Sequence, residues 1–66
     1  MKVYVNGEAH EVLDTATVAD LLAQLGAPSA GIAVEVNQAL VRRAEHPGHA
    51  LREGDKVEIV GLVGGG

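Results

Sequence analysis

The chain has 66 residues, 47% of them hydrophobic, with one tyrosine, no phenylalanine or tryptophan, and no cysteine. That is one domain with an aliphatic core, near the lower limit for folding alone, where only about 60% of the unfolded surface is buried; disulfides, iron–sulfur clusters and cysteine-based zinc sites are excluded, so packing must carry the stability. The formal charge of −4 disfavours nucleic acid or ATP as a direct ligand and favours docking on a larger protein with a basic surface.

Residues 2–6 alternate, with Val3 and Val5 facing one way and Lys2, Tyr4 and Asn6 the other, the period of a strand. Asn6-Gly7 follows, the strongest short hairpin signal, because a type I′ turn needs positive φ at both central positions. A loop of that length pairs Val5 with Glu8, Tyr4 with Ala9, Val3 with His10 and Lys2 with Glu11. The last pair sets opposite charges across the strands, and Val12 joins the inner face. A helix is predicted over 18–25. Thr17 is its N-cap, with Asp20 three residues on in place of the usual Glu or Gln. Val18, Leu21, Leu22 and Leu25 make one apolar stripe, Gly26 suits the position after the helix, and Pro28 prevents continuation.

Ile32, Val34 and Val36 alternate with Ala33, Glu35 and Asn37, a third strand. Residues 38–52 are less regular: Leu40-Val41 reads as a short edge strand, His46-Pro47-Gly48 as a turn, and Leu51 as an isolated core contact. Glu53-Gly54-Asp55 is a further turn. The last strand runs from Lys56 to about Leu62, with Val57 and Ile59 inward and Lys56, Glu58, Val60 and Leu62 outward; Gly61 hints at a bulge or a close approach.

The order β-β-α-β-(short)-β is that of an α+β, ubiquitin-like β-grasp: a mixed four- to five-stranded sheet with one main helix packed on one face. The first and last strands would pair in parallel at the sheet centre, and the C-terminal tail would project from one end. The division is a β-grasp domain over 1–62 and a flexible glycine tail over 63–66. No apolar run approaches the roughly 20 residues of a membrane span. Met-Lys-Val-Tyr-Val-Asn alternates instead of forming a signal-peptide core, so the chain reads as cytoplasmic, with no membrane and no nucleic acid among its partners.

Candidates for independent chemistry fall away one by one. His46 and His49 flank Pro-Gly, which reads as a solvated loop, and two histidines without further ligands make a weak metal site. His10 reads as a strand-pairing residue, and Arg42-Arg43 as a solvated edge. Ser29 has no His-Asp arrangement around it. No glycine-rich loop joins a strand to a helix.

Several segments together resemble one family: Val-Asn-Gly-Glu after the first strand, TVADLLAQLG as the helix, IAVEVNQALVRR as the third strand and its continuation, LREGDKVEIV before the tail, and Val-Gly-Gly-Gly at the end. In these the chain resembles the ThiS family, the ubiquitin-like sulfur carriers of the thiamine pathway, along its whole length. The resemblance implies a protein carrier, not an enzyme. The terminal carboxylate, here that of Gly66, would be adenylated by a ThiF-like adenylyltransferase using ATP. Sulfur from a persulfide donor would convert it to a thiocarboxylate, and thiazole synthase ThiG would consume that sulfur. Gly64 and Gly65 would form the neck that threads the partner's channel. The chain itself would bind no cofactor.

The residues suit that chemistry. A terminal carboxylate is ionised at neutral pH, and glycine has no Cβ to obstruct attack at its carbonyl. Val63 to Gly66 extend roughly 13–14 Å at about 3.3–3.6 Å per residue. Ordering those four residues costs on the order of 4–8 kcal/mol at about 1–2 kcal/mol each, which docking contacts must offset. Val60, Leu62 and Val63, with Tyr4 on the adjacent strand, would supply an apolar patch beside the tail. An ordinary half-exposed sheet face is the other reading of these residues. Two further functional readings stay open: a MoaD-like or tRNA-thiolation sulfur carrier, and a β-grasp binding module with an inert tail.

Overall fold

In a computed structural model describing residues 1–28 and 30–62, the elements are β1 (Lys2–Val5), β2 (Glu8–Glu11), α1 (Val18–Leu25), β3 (Ile32–Val36), β4 (Ala39–Val41), a 3-10 helix (Arg43–Gly48) and β5 (Lys56–Gly61). The strands form one five-stranded sheet in the order β2-β1-β5-β3-β4. The expected tail, 63–66, lies outside the described residues.

Asn6 and Gly7 take φ of 49° and 86°, both left-handed as a type I′ turn requires. The strands they join pair in the register anticipated from the loop length, Val5 with Glu8 through Lys2 with Glu11. At α1 the reciprocal cap is complete. Thr17 Oγ1 accepts from the Asp20 amide at 3.2 Å, and the Asp20 carboxylate accepts from the Thr17 amide at 2.9 Å. The shorter aspartate therefore closes the box that glutamate usually closes. Gly26 ends the helix at φ 69° and donates to the Ala23 carbonyl at 3.1 Å.

A second hairpin was not expected from the sequence. Asn37 and Gln38 have φ of 51° and 71° and join β3 to β4, pairing Val36 with Ala39 and Val34 with Val41. Glutamine carries no turn signal and is strained in the left-handed region, so only the pairing of its neighbours reveals the loop. The short edge strand at Leu40-Val41 is present, one residue longer than expected.

Alternation sends Val3, Val5, Val34, Val36, Val41 and Val57 to one face of the sheet. There they meet Val18, Leu21 and Leu22 of α1, with Val12, Ala16 and Leu51 completing one core. Leu51 reaches it because its amide donates to the Ala16 carbonyl at 2.9 Å while the His49 carbonyl accepts from the Val18 amide at 3.0 Å. These bonds staple the irregular segment to the start of the helix.

Two expectations are corrected. The His46-Pro47-Gly48 stretch is not a solvated turn but part of the 3-10 helix, and His46 is buried. Its ring Nε2 lies 3.2 Å from the Val41 carbonyl, an acceptor, so Nε2 carries the proton. Gly61 marks no bulge: β3 and β5 pair without a slip from Val36–Val57 to Ile32–Gly61, and a Cβ added at Gly61 meets nothing within 4 Å.

Gln38→Gly should raise stability by up to about 1 kcal/mol, the relief of left-handed strain less the added chain entropy of glycine. Urea unfolding of the two proteins measures it, with an unchanged m-value as the sign that both expose the same surface on unfolding.

Candidate site at the exit of the last strand

The central strand is held along both edges. It runs parallel to β1, with Tyr4 beside Lys56 and Val5 beside Val57, and antiparallel to β3 over five residue pairs. On the β1 side the backbone ladder stops where the chain turns away at Asn6. The Asn6 side chain continues it: Oδ1 accepts from the Ile59 amide at 2.8 Å and Nδ2 donates to the Ile59 carbonyl at 3.2 Å. A side-chain amide has the same donor and acceptor pair as a peptide group, so Asn6 serves as one more residue of strand. Asn37 does similar work at the other end of β5. Its Oδ1 accepts from the Lys56 amide at 3.0 Å, its Nδ2 donates to Asp55 at 2.9 Å, and its own amide donates to the Lys56 carbonyl at 2.7 Å.

Both asparagines were legible only as a turn residue and a strand-end residue. Their second role spans 53 residues for Asn6–Ile59 and 19 for Asn37–Lys56. The one available signal was the left-handed turn that turns each amide inward.

The last described contact of the chain is the Leu62 amide donating to the Gly31 carbonyl at 2.9 Å. The sheet therefore grips the chain up to Leu62. Val60 and Leu62 are both exposed there, on the face of the sheet turned away from α1, with Ala33 directly across from Val60. Tyr4 is exposed on the same face but is not their neighbour. Its register with Lys56 leaves it four residues short of Val60, about 13 Å along the strand at roughly 3.3 Å per residue. The expected patch of Tyr4, Val60 and Leu62 is thus brought together at Val60 and Leu62 only, because β1 ends before reaching them. Val63, Gly64, Gly65 and Gly66 lie outside the described residues.

Of the other candidates, His10 is half-buried beside Glu8, with Nε2 to carboxylate at 3.2 Å, and Arg42 and Arg43 are exposed. Nδ1 of His46 is buried with no hydrogen-bond partner, beside a groove of about 420 Å³ that also touches Leu22, Ala27 and Arg43. Among the described residues no group of three or more His, Asp or Glu is placed to hold a metal ion, and no helix is long and apolar enough to cross a membrane. What the arrangement offers chemically is a strand held along both edges as far as Leu62, with Val60 and Leu62 exposed at its end.

A mixed sheet in this order with one helix across one face is the ubiquitin-like β-grasp. The crystal structure of a thiamine biosynthesis protein (ThiS) from Geobacter metallireducens shares it, with a TM-score of 0.84 and 30% identity over the whole of both chains. Residues 3–66 match the ThiS family, and the chain belongs to that family. It is 38% identical to the sulfur carrier protein ThiS of Thermus thermophilus over 97% of this chain and 98% of that protein, and 32% identical to that of Escherichia coli over the whole of both. It is also 41% identical to a thiazole synthase of Paramagnetospirillum magneticum. This chain spans about a fifth of that protein's length, 20%.

Asn6→Gly, which keeps the left-handed turn at φ 49°, removes both bonds to Ile59 and should cost about 1–3 kcal/mol at about 0.5–1.5 kcal/mol each. Hydrogen exchange should show the Ile59 amide losing more protection than the Val57 amide, because the loss is local to the strand's exit.

Proposed function

We propose that the protein is a sulfur carrier of thiamine biosynthesis, a protein substrate that partner enzymes modify and not a catalyst itself. The observation that carries this reading is the exit of β5, a strand gripped to Leu62 and followed at once by Val63-Gly64-Gly65-Gly66. The full-length likeness to proteins named sulfur carriers supports it.

The carboxylate of Gly66 attacks the α-phosphorus of ATP held by a ThiF-like adenylyltransferase, expelling pyrophosphate. The acyl-adenylate then accepts the terminal sulfur of a persulfide donor at its carbonyl carbon and expels AMP. A thiol supplies the two electrons that cleave the sulfur–sulfur bond and leave the thiocarboxylate. Gly64 and Gly65 have no Cβ to fill a narrow channel, so they deliver the carboxylate while the folded body stays outside. In this reading the activating partner binds the ATP, the chain itself takes no cofactor, and the protein works in the cytoplasm.

Thiazole synthase ThiG is the acceptor of the sulfur in this reading. The likeness of this whole chain to a fifth of proteins named thiazole synthase supports that pairing, since a carrier sequence within the synthase chain would hold donor and acceptor at a high effective concentration.

Incubation with a ThiF-like enzyme, ATP and a persulfide donor should raise the intact mass by the difference between one sulfur and one oxygen. A chain lacking Gly65 and Gly66 should melt at the same temperature and gain nothing. An unchanged mass for the whole chain, in an assay that modifies a known carrier, would overturn the reading.

A further inference from the structure

Asn6-Gly7 is a dipeptide prone to lose its side-chain amide without an enzyme. The backbone nitrogen that follows an asparagine can attack the side-chain carbon Cγ, and a glycine at that position leaves the nitrogen uncrowded. Both residues are exposed, and a Cβ added at Gly7 meets nothing within 4 Å, so water and base reach the site. Asn37, the other asparagine of the chain, is followed by Gln38, whose side chain hinders the same attack. Sequence and exposure together mark Asn6 for conversion.

The fold opposes that chemistry. β5 holds Asn6 at three points: the Asn6 amide donates to the Val57 carbonyl at 2.8 Å, Oδ1 accepts from the Ile59 amide at 2.8 Å, and Nδ2 donates to the Ile59 carbonyl at 3.2 Å. Cyclisation needs Cγ turned onto the Gly7 nitrogen. With both ends of the side-chain amide bonded to Ile59, it cannot turn without breaking both bonds. The ring also needs Cβ and the Gly7 nitrogen on the same side of the Cα–C bond. The left-handed turn, with φ of 49° and 86°, has type I′ torsions that keep them apart. The clamp on the strand's exit is therefore also a guard on the amide that forms it.

We infer that Asn6-Gly7 is a succinimide-forming modification site that β5 holds closed, and that its conversion loosens the strand's exit at Ile59. In the step itself the Gly7 nitrogen gives its proton to base and bonds to Cγ, the Cγ–Nδ2 bond breaks, and ammonia leaves. Water then opens the imide at one of its two carbonyls. The product is an aspartate at position 6 or an isoaspartate whose backbone runs through the side chain; nothing is oxidised or reduced. Aspartate keeps an acceptor for the Ile59 amide but sets a carboxylate against the Ile59 carbonyl, two acceptors where Nδ2 had donated. Isoaspartate adds a backbone atom to a loop whose length sets the β1-β2 register. Either product undoes the clamp just before Leu62, and a chain in which β5 has let go is the one that is modified.

Incubation of the full chain at mildly alkaline pH tests this, folded in buffer and unfolded in guanidinium chloride beyond its midpoint. Peptide mass spectrometry reads the exchange of an amino group for a hydroxyl at Asn6. The folded chain should convert at least roughly tenfold more slowly, since the site must open before it reacts. Val57→Ala, which loosens β5 in the core, should speed conversion in buffer and leave the rate in guanidinium chloride unchanged. If that variant does not fold, guanidinium chloride below the midpoint should speed conversion of the wild type in the same way. Asn37 should convert far more slowly than Asn6 in the unfolded chain. In Asn6→Asp the Ile59 amide should exchange roughly fivefold faster or more, the loss of one hydrogen bond. Folded and unfolded rates within about twofold of each other, or no conversion at Asn6 in the unfolded chain, would overturn the guarded site. An Ile59 amide equally protected in Asn6→Asp and the wild type would overturn its link to the strand's exit.

Discussion

Everything in this domain depends on β5 finding its place between β1 and β3. The two halves of the chain each make a hairpin, β1-β2 and β3-β4, and an isolated two-stranded hairpin is marginal in water. Neither half closes the core alone. The last strand joins them, parallel to one and antiparallel to the other. Its Val57 is fully buried against the helix side. Asn6 and Asn37, both at left-handed turns, pin its two ends with side-chain amides that stand in for backbone. The turn residue of each hairpin is thereby also a clamp on the strand that unites them.

The same strand has a second duty. Its inward residues, Val57 and Ile59, hold the fold, while its outward residues, Glu58 and Val60, face away from the helix. The period of two separates stability from display along one segment. In the proposed carrier role the residues after Leu62 are offered to partner enzymes, and a central strand paired along both edges fixes where that segment begins. On the outer face Glu35 and Glu58 stand directly opposite each other, like charges in a small domain with little stability to spare.

Much of the fold was legible because it is written locally. The Asn6-Gly7 turn determines the β1-β2 register, since loop length sets which residues meet. Thr17, Asp20 and Gly26 bound α1 at both ends through contacts within one turn of the helix. What escaped was non-local or chemically disguised. Gln38 carries no turn signature, so the β3-β4 hairpin was seen only as a short edge strand. His46 sits next to Pro-Gly, which reads as exposed, yet the Val41 carbonyl and the packing of α1 against the 3-10 helix take it into the interior. Tyr4 alternates in phase with an exposed face, but alternation does not say how far along the sheet it lies from Val60.

The sequence by itself determined the order of strands and helix, the aliphatic core, the first hairpin's register, the helix caps and the glycine run that follows the last strand. Each of these rests on periodicity or on neighbours a few residues apart, where sequence separation and spatial separation are nearly the same quantity. Only the tertiary structure decided that Asn6 holds Ile59, that Glu35 faces Glu58, that Tyr4 stands away from the exit and that His46 is buried. Those facts arise when β5 slides into register between strands far from it in the chain. That register is set by the packing of Val57 and its partners against the helix as a whole, not by any residue's neighbours in sequence.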